Sequence, residues 1–551
     1  MIFSFIFNHN FQQIFKMPRK KKTRSESPSK EVEVLHPSTS KRSKKNTTQP
    51  EEADLRPSTS GINKSSRSTK NKRPNYYESS ESSEDDDLIN DSDCESDDSE
   101  LSNETCEENS DTDDEPPVEM EEDSESDLSE EDESESEEDS DDPNKIPKWY
   151  KGKDGTKWKS QPVVSKKAKS RRCNIVTKNC SVKACARNAK TPLQAFELFF
   201  DDFVIEKITH YTNLFIDKKR SDIMEQKKKL TQKELDKKLW KYARTDQHEI
   251  RALFGLLIYL GSSKIGKGSI KHFWNDEKRK WPICSALFGF DRYRFLMRAI
   301  HFDDYRTREE AAKTDNFAIM RELFTYINNK FQDCYEPSAS LCVDEQLLRF
   351  RGRVKFKQFI PSKPAKYGLK VWALVDVETL YTCMLEPYVG KQPKKDANQK
   401  TNPLAISTAP YDLVLRLINR YTKSGRNLTG DNWFTSIALV KKLLALETTY
   451  VGTIRKNKPQ IPKRFQPSTK RPELSTVFGF TSKMTLVSYV PKKNRAVLLV
   501  SFQHHDNEVH ENTKKKKPEI IHYYNNNKYG VDVVDQMCVS YDVSRTSRRW
   551  P

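Results

Sequence analysis

The sequence predicts an α/β protein: a mixed-sheet core, preceded by a mainly helical region and, before that, a long low-complexity region. Three observations carry this. The hydrophobic period changes from helical to strand-like after Pro337. Beyond that point strands come first and then alternate with helices, the pattern of a mixed sheet. Charge is also split along the chain. Residues 1–150 hold 19 Lys and Arg against 41 Asp and Glu, a net of −22, whereas residues 151–551 hold 77 against 40, a net of +37. A basic half of that size points to a polyanion partner, nucleic acid before an anionic membrane surface.

Residues 1–16, MIFSFIFNHNFQQIFK, have no basic n-region, and Asn8, His9 and Asn10 break their apolar run. They read as an upstream extension rather than a signal peptide, with Met17 as the natural start. Residues 17–145 are too poor in large apolar side chains to bury a core and are expected to be disordered. Within them, PRKKKTR (18–24) and KRSKK (41–45) suit nuclear localisation or nucleic-acid contact, with plain solvated charge an equal alternative. The expected location is the nucleus. The acidic block at 78–142 solvates the chain, competes with DNA for the basic half, or binds basic partners; its serines are open to phosphorylation. No apolar run reaches about 18 residues, so no membrane partner is expected. The ten cysteines include no CxxC pair. Cys173, Cys180 and Cys185 lack zinc spacing and read as reduced thiols, so no zinc site is expected.

Residues 146–189 read as a basic linker with Trp and Tyr interspersed, and ordered structure is expected from about 190. Thr191 can cap a helix that Pro192 opens, with Leu193, Phe196, Phe199, Phe200, Phe203 and Val204 as its apolar stripe. TDQHEIRALFGLLIYLG predicts a buried helix that starts at Thr245 or Asp246 and ends near Gly261; DRYRFLMRAIHF (291–302) predicts another. Residues 190–335 are thus a mainly helical DNA-binding or dimerisation region. Then SLCVDEQLL, VKFKQFI (354–360, edge-like), LKVWALVD (369–376) and YTCMLEPYVG predict strands. DLVLRLINRYT (412–422) and TSIALVKKLLAL (435–446) predict helices, with strands at RNLTGDNWF and TYVGTIRK. Residues 336–551 form the core.

Three aspartates stand out against this frame. Asp344 sits inside the apolar strand LCVDEQLL, Asp431 at a strand end in LTGDNWFTS, and Asp532 in YGVDVVDQM, where Gly530 breaks the chain and a helix begins. An acid in an apolar strand costs several kcal/mol unless it is paired, hydrated or metal-bound. Acids on separate elements of one sheet could converge. Their hard oxygens would suit Mg²⁺ or Mn²⁺, and two ions about 3.5–4 Å apart can drive phosphodiester cleavage. Asp535 lies three residues after Asp532, on the same helix face. Asp376, by contrast, ends a strand at the turn VDVET and reads as a turn acid. The clusters His301–Asp304 and His504–Asp506 read as a helix end and a surface loop.

VDEQLLRFRGRVKFKQFIPSKPAKYGLKVWALVD, DNWFTSIALVKKLL and NNNKYGVDVVDQM resemble the piggyBac family of DNA transposases. The resemblance extends back through LQAFELFF, YTNLFI, EIRALFGLLIYLG and RFLMRAIHFDD, so it covers roughly residues 190–551. It implies an RNase H-like core with an insertion at about 455–495. It implies Asp344, Asp431 and Asp532 as the catalytic and metal-binding triad, with Asp535 a further acid at the metal. It implies DNA nicking, a hairpin at a TTAA flank, and strand transfer to TTAA targets on double-stranded DNA, by a homodimer. Two classes stay open: an active transposase, or a transposon-derived DNA- or chromatin-binding protein that does not transpose. Arg351, Arg353, Lys363, Lys366 and Lys370, close after Asp344, are expected at DNA phosphates near the cut. Arg455, Lys456, Lys458, Lys463 and Arg464 are expected on the DNA-facing insertion. The chain departs from the family at Gly430, where a strand former is usual, and at VETLY, which lacks the usual Gly. It is also expected to be truncated in its last helix, short of a Cys-rich zinc-binding domain.

Overall fold

A computed structural model describes residues 146–163, 172–225, 231–263, 270–275, 281–361, 363–390, 406–540 and 542–544. The upstream extension, both basic clusters and the acidic block lie outside them.

The centre of the molecule is a mixed sheet of β5 (Ser340–Arg349), β7 (Tyr367–Asp376), β8 (Thr382–Pro387), β9 (Asn427–Gly430) and β10 (Thr449–Thr453). Its order is β8-β7-β5-β9-β10. β5, β7 and β8 pair antiparallel, whereas β9 runs parallel to both β5 and β10. This is the expected RNase H-like arrangement: an antiparallel meander, then parallel strands reached through helices. The helices are Pro410–Ile418 before β9 and Ile437–Ala445 before β10. Parallel strands need such crossovers. Ser436 caps the second, its hydroxyl accepting from Leu439 N. β7 is buried along most of its length and reads as an apolar run for that reason. VKFKQFI contributes only the two-residue edge strand β6 (Gln358–Phe359), not a full strand. The rest of that stretch is turn, tied by Ile360 N to Lys366 O with Lys366 at φ +54°.

The sheet does not stop at β10. β11 (Thr476–Phe480), β12 (Thr485–Lys492) and β13 (Arg495–Ser501) form a meander that joins β10 through β13. Residues 146–189 were expected as a linker, but their described part is built into the fold. β1 (Trp149–Lys151) and β2 (Lys157–Lys159) form a hairpin whose Lys159 pairs with Phe480 of β11. Trp158 is fully buried there and donates through Nε1 to Gln460 O at 3.0 Å, while Tyr150 meets Phe465 edge-on. β3 (Ser181–Val182) pairs with β4 (Tyr335–Glu336). Short basic strands escape detection because their apolar partners lie about 300 residues away in sequence.

The helical region packs against this sheet. Thr191 and Gln194 form a reciprocal capping box, as Thr191 and Pro192 suggest. The expected single stripe is broken, however: Pro192–Glu197 and Asp202–Glu225 are separate helices, and Leu193 and Phe203 lie at the surface. Asp201 drives the break by accepting from Val204 N and re-capping the chain. Gln247–Ser262 starts at Asp246, which caps Glu249 N. Ala318–Cys334 lies against β8, with Asn328 exchanging bonds with both backbone groups of Leu385. No helix among the described residues is long and apolar enough to cross a membrane.

Candidate active site

Register brings the first two aspartates together. Val343 of β5 stands opposite Gly430 of β9, the last pair of that parallel ladder. Asp344 and Asp431 occupy the next position on each strand, so they emerge side by side where the strands part. Alternation along β5 places Cys342, Asp344 and Gln346 on one face. Cys342 contacts Lys528 O and Gln346 contacts Val531 O, so that face is the one covered by the helix Gly530–Ser540. Val531 and Val534 are fully buried against it, while Asp532, on the same helix, is exposed. Four acids from β5, β9 and one helix therefore edge one corner of the sheet.

The corner is electrostatically strained. Burial, then the Glu345 carboxylate, pushes Asp344 up to about 8, against the Glu345 amide and Lys363; Asp431 also raises it. Burial also raises Asp431, against bonds from Trp433 N and Phe434 N and the charge of Arg455. Asp535 is raised by burial, with Lys363 opposing. Each shift says the same thing: carboxylate charge is gathered here without enough water or cations to balance it.

Asp376 shows the contrast. It is fully buried, yet accepts from Ser338 N and Oγ, Tyr335 OH, Thr379 Oγ1 and Glu378 N. The turn reading undersold it: this acid ties β4, β5 and β7 together. Asp344 accepts one such bond among the described residues, from Glu345 N at 2.8 Å. A half-buried carboxyl so sparsely bonded has oxygens to spare.

The donor set is all oxygen, which fits a hard divalent cation. Asp344 and Asp431 have the chemistry and adjacency to hold one. Among the described residues, however, no three His, Cys, Asp or Glu side chains close to the distance of a metal ligand set. Asp532 is instead engaged by Lys363, whose Nζ lies 3.5 Å from Oδ1 and donates to Glu345 O at 3.0 Å.

The other expected DNA-facing cations separate into groups. Arg351, Arg353 and Lys366 are exposed. Lys370 lies over the rings of Trp433 and Trp372, 4.8 and 5.4 Å from their centroids. Arg455 stands near enough to Asp431 to affect its titration. Lys456 and Lys463 are exposed and Arg464 half-buried. Lys463 and Arg464 line a cleft of about 650 Å³ between the hairpin and the insertion, with Lys470 and Arg471. Lys458 does not belong with them, being only 8% exposed. Lys363 is correspondingly turned toward the acids rather than outward. Sequence reading also passed over Glu345, because strict alternation sends it to the opposite face from Asp344.

Residues 191–551 match the family model described as transposase IS4. PiggyBac transposable element-derived protein 3 of Homo sapiens is 25% identical over 377 residues, 66% of this chain and 58% of that protein. PiggyBac transposable element-derived protein 2 of Homo sapiens is 22% identical over 377 residues, 65% of this chain and 58% of that protein. The chain thus spans a little over half the length of these curated relatives. A cryo-EM structure of the piggyBac transposase synaptic complex with hairpin DNA is similar at a TM-score of 0.59 and 34% identity, covering 68% of this chain and 73% of that one.

Proposed function

The chain belongs to the piggyBac type of transposase, and on that premise we propose that it cuts and joins double-stranded DNA at TTAA sites in a divalent-metal-dependent reaction. One observation carries the proposal: the Val343/Gly430 register sets Asp344 beside Asp431 at the corner covered by the helix of Asp532 and Asp535. In this reading Asp344, Asp431 and Asp532 hold the ion or ions, with Asp535 beside them. When bound, Mg²⁺ or Mn²⁺ supplies a Lewis acid that activates the attacking oxygen and stabilises the leaving one at phosphorus. Burial raises the proton affinity of Asp344, so as a ligand it would have to give up that proton, and ion affinity would rise with pH. Arg351, Arg353 and Lys366 hold the flanking phosphates and set the duplex in line without reading sequence. Two element ends require two cores, so a homodimer acting in the nucleus completes the reading.

The test is nick and hairpin formation on duplex DNA carrying a TTAA junction, in Mg²⁺ and in EDTA. Cleavage in Mg²⁺ that is lost in EDTA and in Asp344→Asn supports it. Cleavage that survives Asp344→Asn overturns the assignment. A second reading is favoured by the relatives being named transposable element-derived: a DNA-binding protein that no longer cuts. Tight DNA binding without any cleavage in Mg²⁺ or Mn²⁺ would select it.

A further inference from the structure

We infer that Lys363 is a built-in counter-cation, occupying the carboxylate corner in the DNA-free protein and exchanging with the divalent ion when DNA arrives. The inference rests on the reading of that corner as an ion site.

The geometry is specific. Lys363 sits in a turn closed by Ile360 N to Lys366 O at 2.8 Å and Lys363 N to Ile360 O at 3.2 Å. This turn folds the ammonium back over β5, where it bonds to Glu345 O and reaches Asp532 Oδ1. Its side chain is only 16% exposed. One cation thus joins β5, through the Glu345 carbonyl, to the Asp532 carboxylate on the helix Gly530–Ser540. Asp532, an acid of the proposed ion site, is the one Lys363 holds.

Such an arrangement has two partners to choose between. The stem of Lys363 is flexible and its turn is flanked by exposed Lys366. A phosphate at the corner offers the ammonium a second anion to pair with, and movement of the ammonium to it frees Asp532. Ion and DNA would then bind with positive coupling, each raising the other's affinity by the same factor. The DNA-free protein would hold its ion weakly and have little stray nuclease activity.

The experiment measures Mn²⁺ binding to the full chain without DNA, by the loss of the free-ion paramagnetic resonance signal. The proteins are wild type, Lys363→Met, Lys363→Gln, Lys363→Arg and Asp344→Asn, each checked for folding by its melting temperature. Removing the resident cation removes a competing state, so Met and Gln should bind Mn²⁺ about tenfold more tightly than wild type, and Arg should not. Unchanged or weaker binding in both neutral variants overturns the inference. If Asp344→Asn leaves Mn²⁺ binding unaltered, or no protein binds the ion, the ion-site reading falls and the inference with it. If Asp344→Asn weakens binding while the lysine variants do not strengthen it, only the inference falls.

Discussion

The Tyr450 hydroxyl stands where a side chain at Gly430 would begin: a Cβ there would lie 2.5 Å from that oxygen and 3.1 Å from Val343 Cγ1. The glycine before Asp431 weakens β9 as a strand, but it admits Tyr450 into the space beside the acid. Tyr450 OH bonds to Thr435 Oγ1 at 2.8 Å, and Thr435 Oγ1 donates to Asp431 O at 2.7 Å. Gly430, Tyr450 and Thr435 therefore fix the backbone from which Asp431 projects.

Gly430→Val should destabilise the protein by about 1–3 kcal/mol through overpacking. Tyr450→Phe, which removes the obstructing oxygen, should make the glycine substitution less costly. Urea unfolding of the two single variants and the double variant measures the coupling. Strict additivity would show that the two positions do not share this space.

Asp344 and Asp376 should fail in opposite ways. Asp344→Asn should lose cleavage while retaining the fold and DNA binding. Asp376→Asn should cost about 1–3 kcal/mol, because some of its five donors are left unmatched. Cleavage per folded molecule should change far less. Denaturation curves read beside single-turnover cleavage separate the two effects.

Metal-free stability should depend on pH through Asp344. Burial, with Glu345 next, lifts this carboxyl from 3.8 to about 8, so between those values the folded state holds a proton the unfolded chain has lost. Unfolding free energy then falls as pH rises through that window and levels off on either side. In EDTA, the melting temperature of Asp344→Asn should fall less than that of wild type between about pH 5 and pH 8, the gap widening upward. Parallel curves would place the pH dependence elsewhere.

The amino-terminal hairpin should be a structural part of the insertion. Trp158→Ala removes a fully buried indole and its bond to Gln460 O, and should cost about 3–5 kcal/mol. Limited proteolysis should then open the segment around Gln460 first. An unaffected cleavage pattern would mean that the hairpin is dispensable.

Salt should distinguish exposed from buried cations. Replacing Arg351 and Arg353 together by Ala should weaken DNA binding and reduce the slope of log K against log salt by about 2. Lys458→Ala should lower stability and leave that slope alone, since its side chain is buried. An equal loss of slope would put Lys458 at a phosphate.

Much of this was legible in the sequence because it is local. Apolar runs and alternation marked β5, β7, β8 and the helices Pro410–Ile418 and Ile437–Ala445. Caps marked the helix starts at Thr191 and Asp246. Acids in apolar settings marked Asp344, Asp431 and Asp532, and block-by-block resemblance supplied the family. What the tertiary structure alone decided depends on partners distant along the chain. Strand register, not composition, put Asp344 beside Asp431. The burial of Trp158 and the pairing of Lys159 with Phe480 turned a basic stretch into part of the sheet. Two lysines that look alike in sequence were assigned opposite surroundings, Lys366 to solvent and Lys363 to the acids, because a charge takes its role from the dielectric and the counter-charges around it, and those are set only when the chain has folded.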